Sequence, residues 1–141
     1  MLSEYFSETE IDEIIQYNKK IVEEDGDSFE VDLNILSSIF DKVNTWYEKE
    51  VDKRTRIIKK TTRILAGITF NQPFYEANKR TATIVTLMFL NRNGFDIPLI
   101  HTNQKRKYYN LLMATMLKSR TDPAIYSEVE EYLQQEVMII E

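Results

Sequence analysis

The sequence predicts an all-α domain. Apolar residues recur at three- and four-residue spacing through most of the chain, only three Gly and three Pro interrupt 141 residues, and no alternating run is long enough for a core strand. With 43% hydrophobic residues, a chain of this length can bury one core but not two, so residues 1–141 read as a single domain. No repeat at solenoid periods and no Pro/Gly/Ser linker divides it.

The elements follow in order. Ser7-Glu8-Thr9-Glu10 has the spacing of a capping box, and Ile11, Ile14, Ile15, Ile21 and Val22 continue it as a helix over 8–24, with Gly26 as the stop. Residues 27–32 alternate polar and apolar for a short span, which suits a small β-hairpin or an extended flap. Asp32 or Asn34 caps a second helix to about residue 49, where Leu36, Ile39, Phe40, Val43 and Tyr47 form one stripe beside Trp46. A third helix, over 52–70, carries Ile57, Ile58, Thr61, Ile64, Leu65 and Ile68 on its apolar side and ends before Pro73. The fourth runs from Ala77 to Gly94 and is apolar almost all round between Ile84 and Leu90, as a central helix of the bundle would be. After a short stretch, 95–101, two more helices are expected at 103–119 and 123–138, the second with Asp122 as cap and Pro123 in its first turn.

Composition excludes several classes of function. The absence of Cys removes disulfide scaffolds, zinc–thiolate sites and thiol nucleophiles, and points to a reducing, cytoplasmic setting. Neither a secretion signal nor a membrane span is expected, since no apolar run approaches the roughly 18 residues a span needs. A net charge of −5 argues against general nucleic-acid binding. That charge is unevenly spread: residues 1–51 hold 14 acids and 4 bases, 52–80 hold 2 acids and 8 bases, and 81–141 hold 7 acids and 6 bases. The basic centre suits an anionic ligand, although Lys53, Arg54, Arg56, Lys59, Lys60 and Arg63 are read first as a solvated helix face.

Chemistry concentrates in residues 71–81, Asn-Gln-Pro-Phe-Tyr-Glu-Ala-Asn-Lys-Arg-Thr, a polar loop entering the most apolar helix. The first turn of a helix exposes unpaired N–H groups at the positive end of its dipole, so Ala77, Asn78, Lys79 and Arg80 can cradle a phosphate. Lys79 and Arg80 add charge, and Glu76 is placed to hold Mg²⁺ beside the phosphates. The plainer alternative makes Phe74 a core plug, Asn78 a helix cap, and Lys79 and Arg80 solvated ions.

Residues 72–81 resemble the signature of the Fic/Doc (Fido) family, His-Pro-Phe-x-Asp/Glu-Gly/Ala-Asn-Gly/Lys-Arg-Thr, at every defined position except the first, where Gln72 replaces His. Ala77 and Lys79 are closer to the Doc-like branch than to Fic proteins with Gly at both positions, and Thr83 stands where the longer Fic pattern has a second Arg. The resemblance implies a Fic-fold helical bundle that binds ATP or a related nucleotide with Mg²⁺ and modifies a hydroxyl of a target protein, which a flap aligns. It implies Glu76 as the metal ligand, Asn78 and Arg80 as phosphate-binding residues, the backbone from Ala77 to Lys79 as the anion hole, and Phe74 as structural. Family members transfer AMP or, in the Doc branch, phosphate; Lys79 favours phosphate. An antitoxin or other inhibitory partner also belongs to that expectation, as does self-inhibition by a helix with Ser/Thr-x-x-x-Glu, a spacing met by Thr9–Glu13 and Ser127–Glu131.

The family's His is the general base. An amide does not titrate near neutrality, so Gln72 can orient a hydroxyl but not take its proton, a loss of about 10²- to 10⁴-fold. His101, the sole His, follows the far end of the fourth helix; Tyr75 is ordinarily protonated, and Glu76 is engaged if it holds metal. Two readings therefore stand: an impaired protein-modifying transferase, or a noncatalytic domain that binds nucleotide or a partner. Tyr108, Tyr109, Leu111, Leu112, Met113, Met116 and Leu117 are read as core before partner groove.

Overall fold

A computed structural model describes residues 2–118, 122 and 124–140. After a 3-10 turn (Leu2–Glu4), these residues form α1 (Glu8–Glu24), α2 (Leu33–Thr45), α3 (Lys53–Asn71), α4 (Asn78–Arg92), β1 (Phe95–Asp96), α5 (Thr102–Met116), α6 (Ala124–Glu136) and β2 (Met138–Ile139). Among the described residues no helix is long and apolar enough to cross a membrane.

The caps act where the sequence places them. Ser7 Oγ accepts from the Glu10 amide at 3.1 Å while the Ser7 amide donates to Glu10 Oε1 at 3.1 Å. Asp32 accepts from the amides of Asn34 and Ile35; the third helix has a cap the sequence reading did not name, Asp52, which accepts from the Thr55 amide. Asp122 Oδ1 takes the Ala124 amide at 2.8 Å, and Pro123 lies outside the described residues. The second helix ends four residues short of its expected limit, because Trp46 turns extended and Tyr47 adopts a left-handed φ of 69°.

Three expectations are corrected. The helix enclosed by the others is α3, which packs against α2, α4, α5 and α6, whereas α4 leaves Ile84 and Met88 about 40% exposed. Small residues make α3 the hub: a Cβ on Gly67 would meet the Ile39 side chain of α2 at 3.2 Å. Residues 27–32 form no hairpin; they run extended, and Val31 makes an antiparallel bridge to Phe74. The basic run of α3 is a solvated face only in part, since Lys53 is exposed but four of the six cations are engaged. Arg54 donates to the carbonyls of Gln134 and Val137, Arg56 binds Glu4 through Nε at 2.6 Å, Lys60 is buried against the Glu4 carbonyl, and Arg63 lies between the rings of Trp46 and Tyr126.

The two-stranded antiparallel ladder, Phe95 opposite Ile139 and Asp96 opposite Met138, was not legible in strands of two residues. It ties the chain after α4 to the segment after α6. Of the apolar set on α5, Tyr108 and Leu112 are buried, while Tyr109 and Leu117 are exposed.

Candidate functional site

The loop between α3 and α4 is held from three sides. Gln72, the C-cap of α3, takes a left-handed φ of 49°, which turns the chain sharply at Pro73, and Phe74 then plugs the core. The extended segment pairs with it: the Asp32 amide donates to the Pro73 carbonyl at 2.7 Å and the Tyr75 amide to the Glu30 carbonyl at 3.0 Å. Asn78 closes the turn from inside, accepting from the Phe74 amide at 3.0 Å and donating to the Phe74 carbonyl at 2.7 Å. From α1, Asn18 Nδ2 donates to the Glu76 carbonyl at 2.9 Å and to Thr81 Oγ1 at 3.0 Å.

This bracing fixes the entrance to α4. Ala77 is the N-cap with a φ of 62°, a conformation that costs an L-residue roughly 1–2 kcal/mol, and among the described residues no side chain caps the helix end. The first amides of α4 therefore lack a side-chain cap, at the positive end of the helix dipole. The left-handed residue at the N-cap and the missing cap together leave these amides without a side-chain partner at the helix entrance.

The charged side chains spread around that end. Glu76 and Tyr75 are exposed. Arg80 pairs with Asp25, the C-cap of α1, at 2.6 Å, with both side chains about half exposed. Lys79 is half-buried, its Nζ 3.6 Å from Met116 Sδ of α5. Gln72 lines a cleft of about 920 Å³ between the extended segment and the loop, together with Glu30, Asp32, Tyr75 and Met116. Lys79 and Arg80 line a different groove, of about 350 Å³, with Tyr17, Thr83 and Tyr109. The loop thus separates the cleft beside Gln72 from the groove beside Lys79 and Arg80, with Lys79 touching Met116 of the large cleft.

Asn78 has its carbonyl and amide engaged with Phe74, so its side chain builds the loop. His101 sits at the start of α5, where its amide donates to Gln104 Oε1 at 2.8 Å, and lines neither cleft. Thr83 meets the Tyr108 hydroxyl at 2.7 Å, and desolvation pushes that buried phenol up to about 12, so it is no base at neutral pH. Thr9, Glu13, Ser127 and Glu131 are all exposed, and Arg80 is met by Asp25 instead. Among the described residues no three His, Asp or Glu side chains form a metal-binding group.

Sequence reasoning missed Asn18 and Asp25. A signal for Asn18 existed: it occupies the buried stripe Ile14–Asn18–Val22, where a polar side chain needs a partner. The Fic/DOC family model matches residues 6–90, from α1 almost to the end of α4, and so includes the extended segment, the loop and Asn18. No curated protein and no solved structure matches the chain.

Proposed function

The chain belongs to the Fic/DOC family, and from that membership we propose a Doc-like, nucleotide-binding Fic domain of the protein-modifying transferase kind, whose transfer to a target hydroxyl is weakened by Gln72. The observation that carries this is the uncapped start of α4 behind the left-handed Ala77, where the amides from Ala77 to Lys79 face no side-chain cap. ATP phosphates are the anion, with Arg80 as their forked donor. Exchanging the exposed Asp25 carboxylate for a phosphate costs Arg80 little, since such surface pairs are worth about 0–1 kcal/mol.

Mg²⁺ fits the donor set. Glu76 offers an exposed carboxylate immediately before the anion-binding turn, and Mg²⁺ ordinarily takes one or two carboxylates with the remaining ligands from phosphates and water. When bound it would neutralise phosphate charge. Asn78 acts here by holding the turn through Phe74. Lys79, the Doc-like feature, favours phosphate over AMP as the transferred group.

Gln72 lines the cleft where a target segment would lie beside Glu30–Asp32. Its amide can hydrogen-bond the acceptor hydroxyl and orient it without accepting the proton. One observation favours a noncatalytic domain that binds nucleotide or a partner: the sole His lies outside the cleft and the buried Tyr108 cannot substitute for the base.

Calorimetry with ATP–Mg²⁺ tests the site, and Arg80→Ala should weaken binding about tenfold, the loss of one charge-assisted contact. Mass spectrometry of lysate proteins incubated with ATP–Mg²⁺ then separates the readings. Gln72→His should raise phosphate or AMP transfer by about 10²- to 10⁴-fold. Silence from both forms despite ATP binding would select the noncatalytic domain, and absence of ATP binding would reject the site.

A further inference from the structure

We propose that the cleft beside Gln72 continues into a cation-lined subsite that seats an acidic side chain of the target segment, about four residues from the acceptor hydroxyl. The proposal rests on the target being a protein segment, as in the function proposed above. A second cavity, of about 320 Å³, shares Asn34, Ile35 and Asn71 with the large cleft, so it adjoins the path of a chain lying past Gln72. Its walls include Lys42, Arg63 and Tyr126.

These two cations are the ones that line this cavity, and they differ from Arg54, Arg56 and Lys60. Arg54, Arg56 and Lys60 are spent on carbonyls and on Glu4, whereas Lys42 and Arg63 have no carboxylate within 4.0 Å among the described residues, in a chain of net charge −5. Aromatic rings hold them instead. The Arg63 guanidinium lies 4.5 Å from the Trp46 centroid and 4.4 Å from that of Tyr126, its Nε donating to the Tyr47 hydroxyl at 2.8 Å. Lys42 Nζ is 5.4 Å from the Trp46 centroid. A guanidinium clamped between two ring faces has lost most of its rotational freedom in advance, which suits it to forked binding of a carboxylate. Asn34, Ile35, Ser38, Ile39 and Asn71 complete the lining.

Spacing and charge give the segment its register. Arg63 and Gln72 are nine positions apart on α3 and its cap, about 13 Å along the axis, which extended chain covers in about four residues. At the near end the cleft carries the carboxylates of Glu30 and Asp32, which repel an acid close to the acceptor. Lys118, which also lines that cleft, is already paired with Asp122 at 3.5 Å and Glu128 at 3.1 Å, so an acid on the target is drawn to the Lys42–Arg63 end.

Fluorescence anisotropy of labelled peptides with a central Thr tests this, with Glu, Gln or Lys placed four residues before or after it. The intact protein should bind one of the Glu peptides about fivefold more tightly than its Gln counterpart, the scale of a partly exposed charge pair, and the preference should vanish in Lys42→Gln and in Arg63→Gln. If Arg63→Gln disturbs the far-UV spectrum by loosening Trp46 and Tyr126, Lys42→Gln decides alone. Absence of a Glu preference, including absence of peptide binding, overturns the proposal, as does a preference that survives Lys42→Gln. So does ATP–Mg²⁺ binding that weakens in Lys42→Gln while peptide binding does not, since the cations would then hold nucleotide phosphate. Calorimetry of the same samples keeps the two ideas apart: lost peptide preference with Arg80-dependent ATP binding intact condemns only the subsite, and the converse condemns only the nucleotide site.

Discussion

Ala77 has a φ of 62° where the loop becomes α4, and the position makes opposite demands on stability and binding. A residue with a Cβ is strained there, yet that backbone turn leaves the helix end without a side-chain cap. Ala77→Gly should stabilise the fold by about 0.5–1 kcal/mol, because relief of the left-handed strain exceeds the entropy glycine adds to the unfolded chain. Urea denaturation measures this, and Ala77→Val should shift the midpoint the other way. At this scale the contiguous loop, 71–81, was legible: its residue types, spacing and helix entrance all lie within one stretch of sequence. The two braces from α1 were not. Asn18 reaches Glu76 across 58 positions and Asp25 reaches Arg80 across 55, and no local pattern encodes such pairs. Nor was the work of Asn78 within the loop, since its sequence position suggests a phosphate ligand or a helix cap, and its contacts with the Phe74 amide and carbonyl appear only once the loop is folded.

Among the elements, helix starts were legible where a cap is satisfied within three residues, as with Ser7, Asp32 and Asp122. The role of the basic run on α3 was not, because its partners lie 52 positions before it and 80 and 83 after it. Those contacts make Glu4 the bolt between the 3-10 turn and α3: its buried carboxylate takes Arg56 Nε at 2.6 Å and Nη2 at 2.9 Å, with Lys60 Nζ at 4.0 Å. The Arg56 hydrogen bonds hold the Glu4 carboxyl below its ordinary 4.5, even against desolvation. Because its folded value is depressed, Glu4 contributes its full stabilisation above the unfolded value, near 4.5, and loses it as the pH falls below that and through the folded value. Glu4→Gln should therefore destabilise the protein by about 3 kcal/mol at pH 7, the scale for breaking a buried pair. Urea midpoints for the two forms, followed from pH 7 to pH 3, should converge at the acid end.

Across the whole molecule, the family match ends at residue 90, and the residues beyond it buttress the helices that carry the loop. α6 packs against α3, and β2 pairs with β1 just beyond α4. The last segment strengthens that strap: Val137 is buried, Arg54 of α3 binds the carbonyls of Gln134 and Val137 at 2.9 and 3.2 Å, and the Ile140 amide donates to the Gly94 carbonyl at 2.9 Å. Ending the chain at Glu136 removes a buried Val, worth about 1.5–3 kcal/mol, and the strand pairing at the exit of α4, but no residue that lines the cleft beside Gln72 or the groove beside Arg80. The shortened protein should lose about 2–4 kcal/mol in urea denaturation. At temperatures where it remains folded, its affinity for ATP–Mg²⁺ in calorimetry should match that of the full chain, because α1, the extended segment and the loop hold one another through Asn18, Glu30 and Asn78. A drop in affinity matching the drop in stability would mean instead that the strap sets the position of α4, and with it the helix end that Ala77 opens.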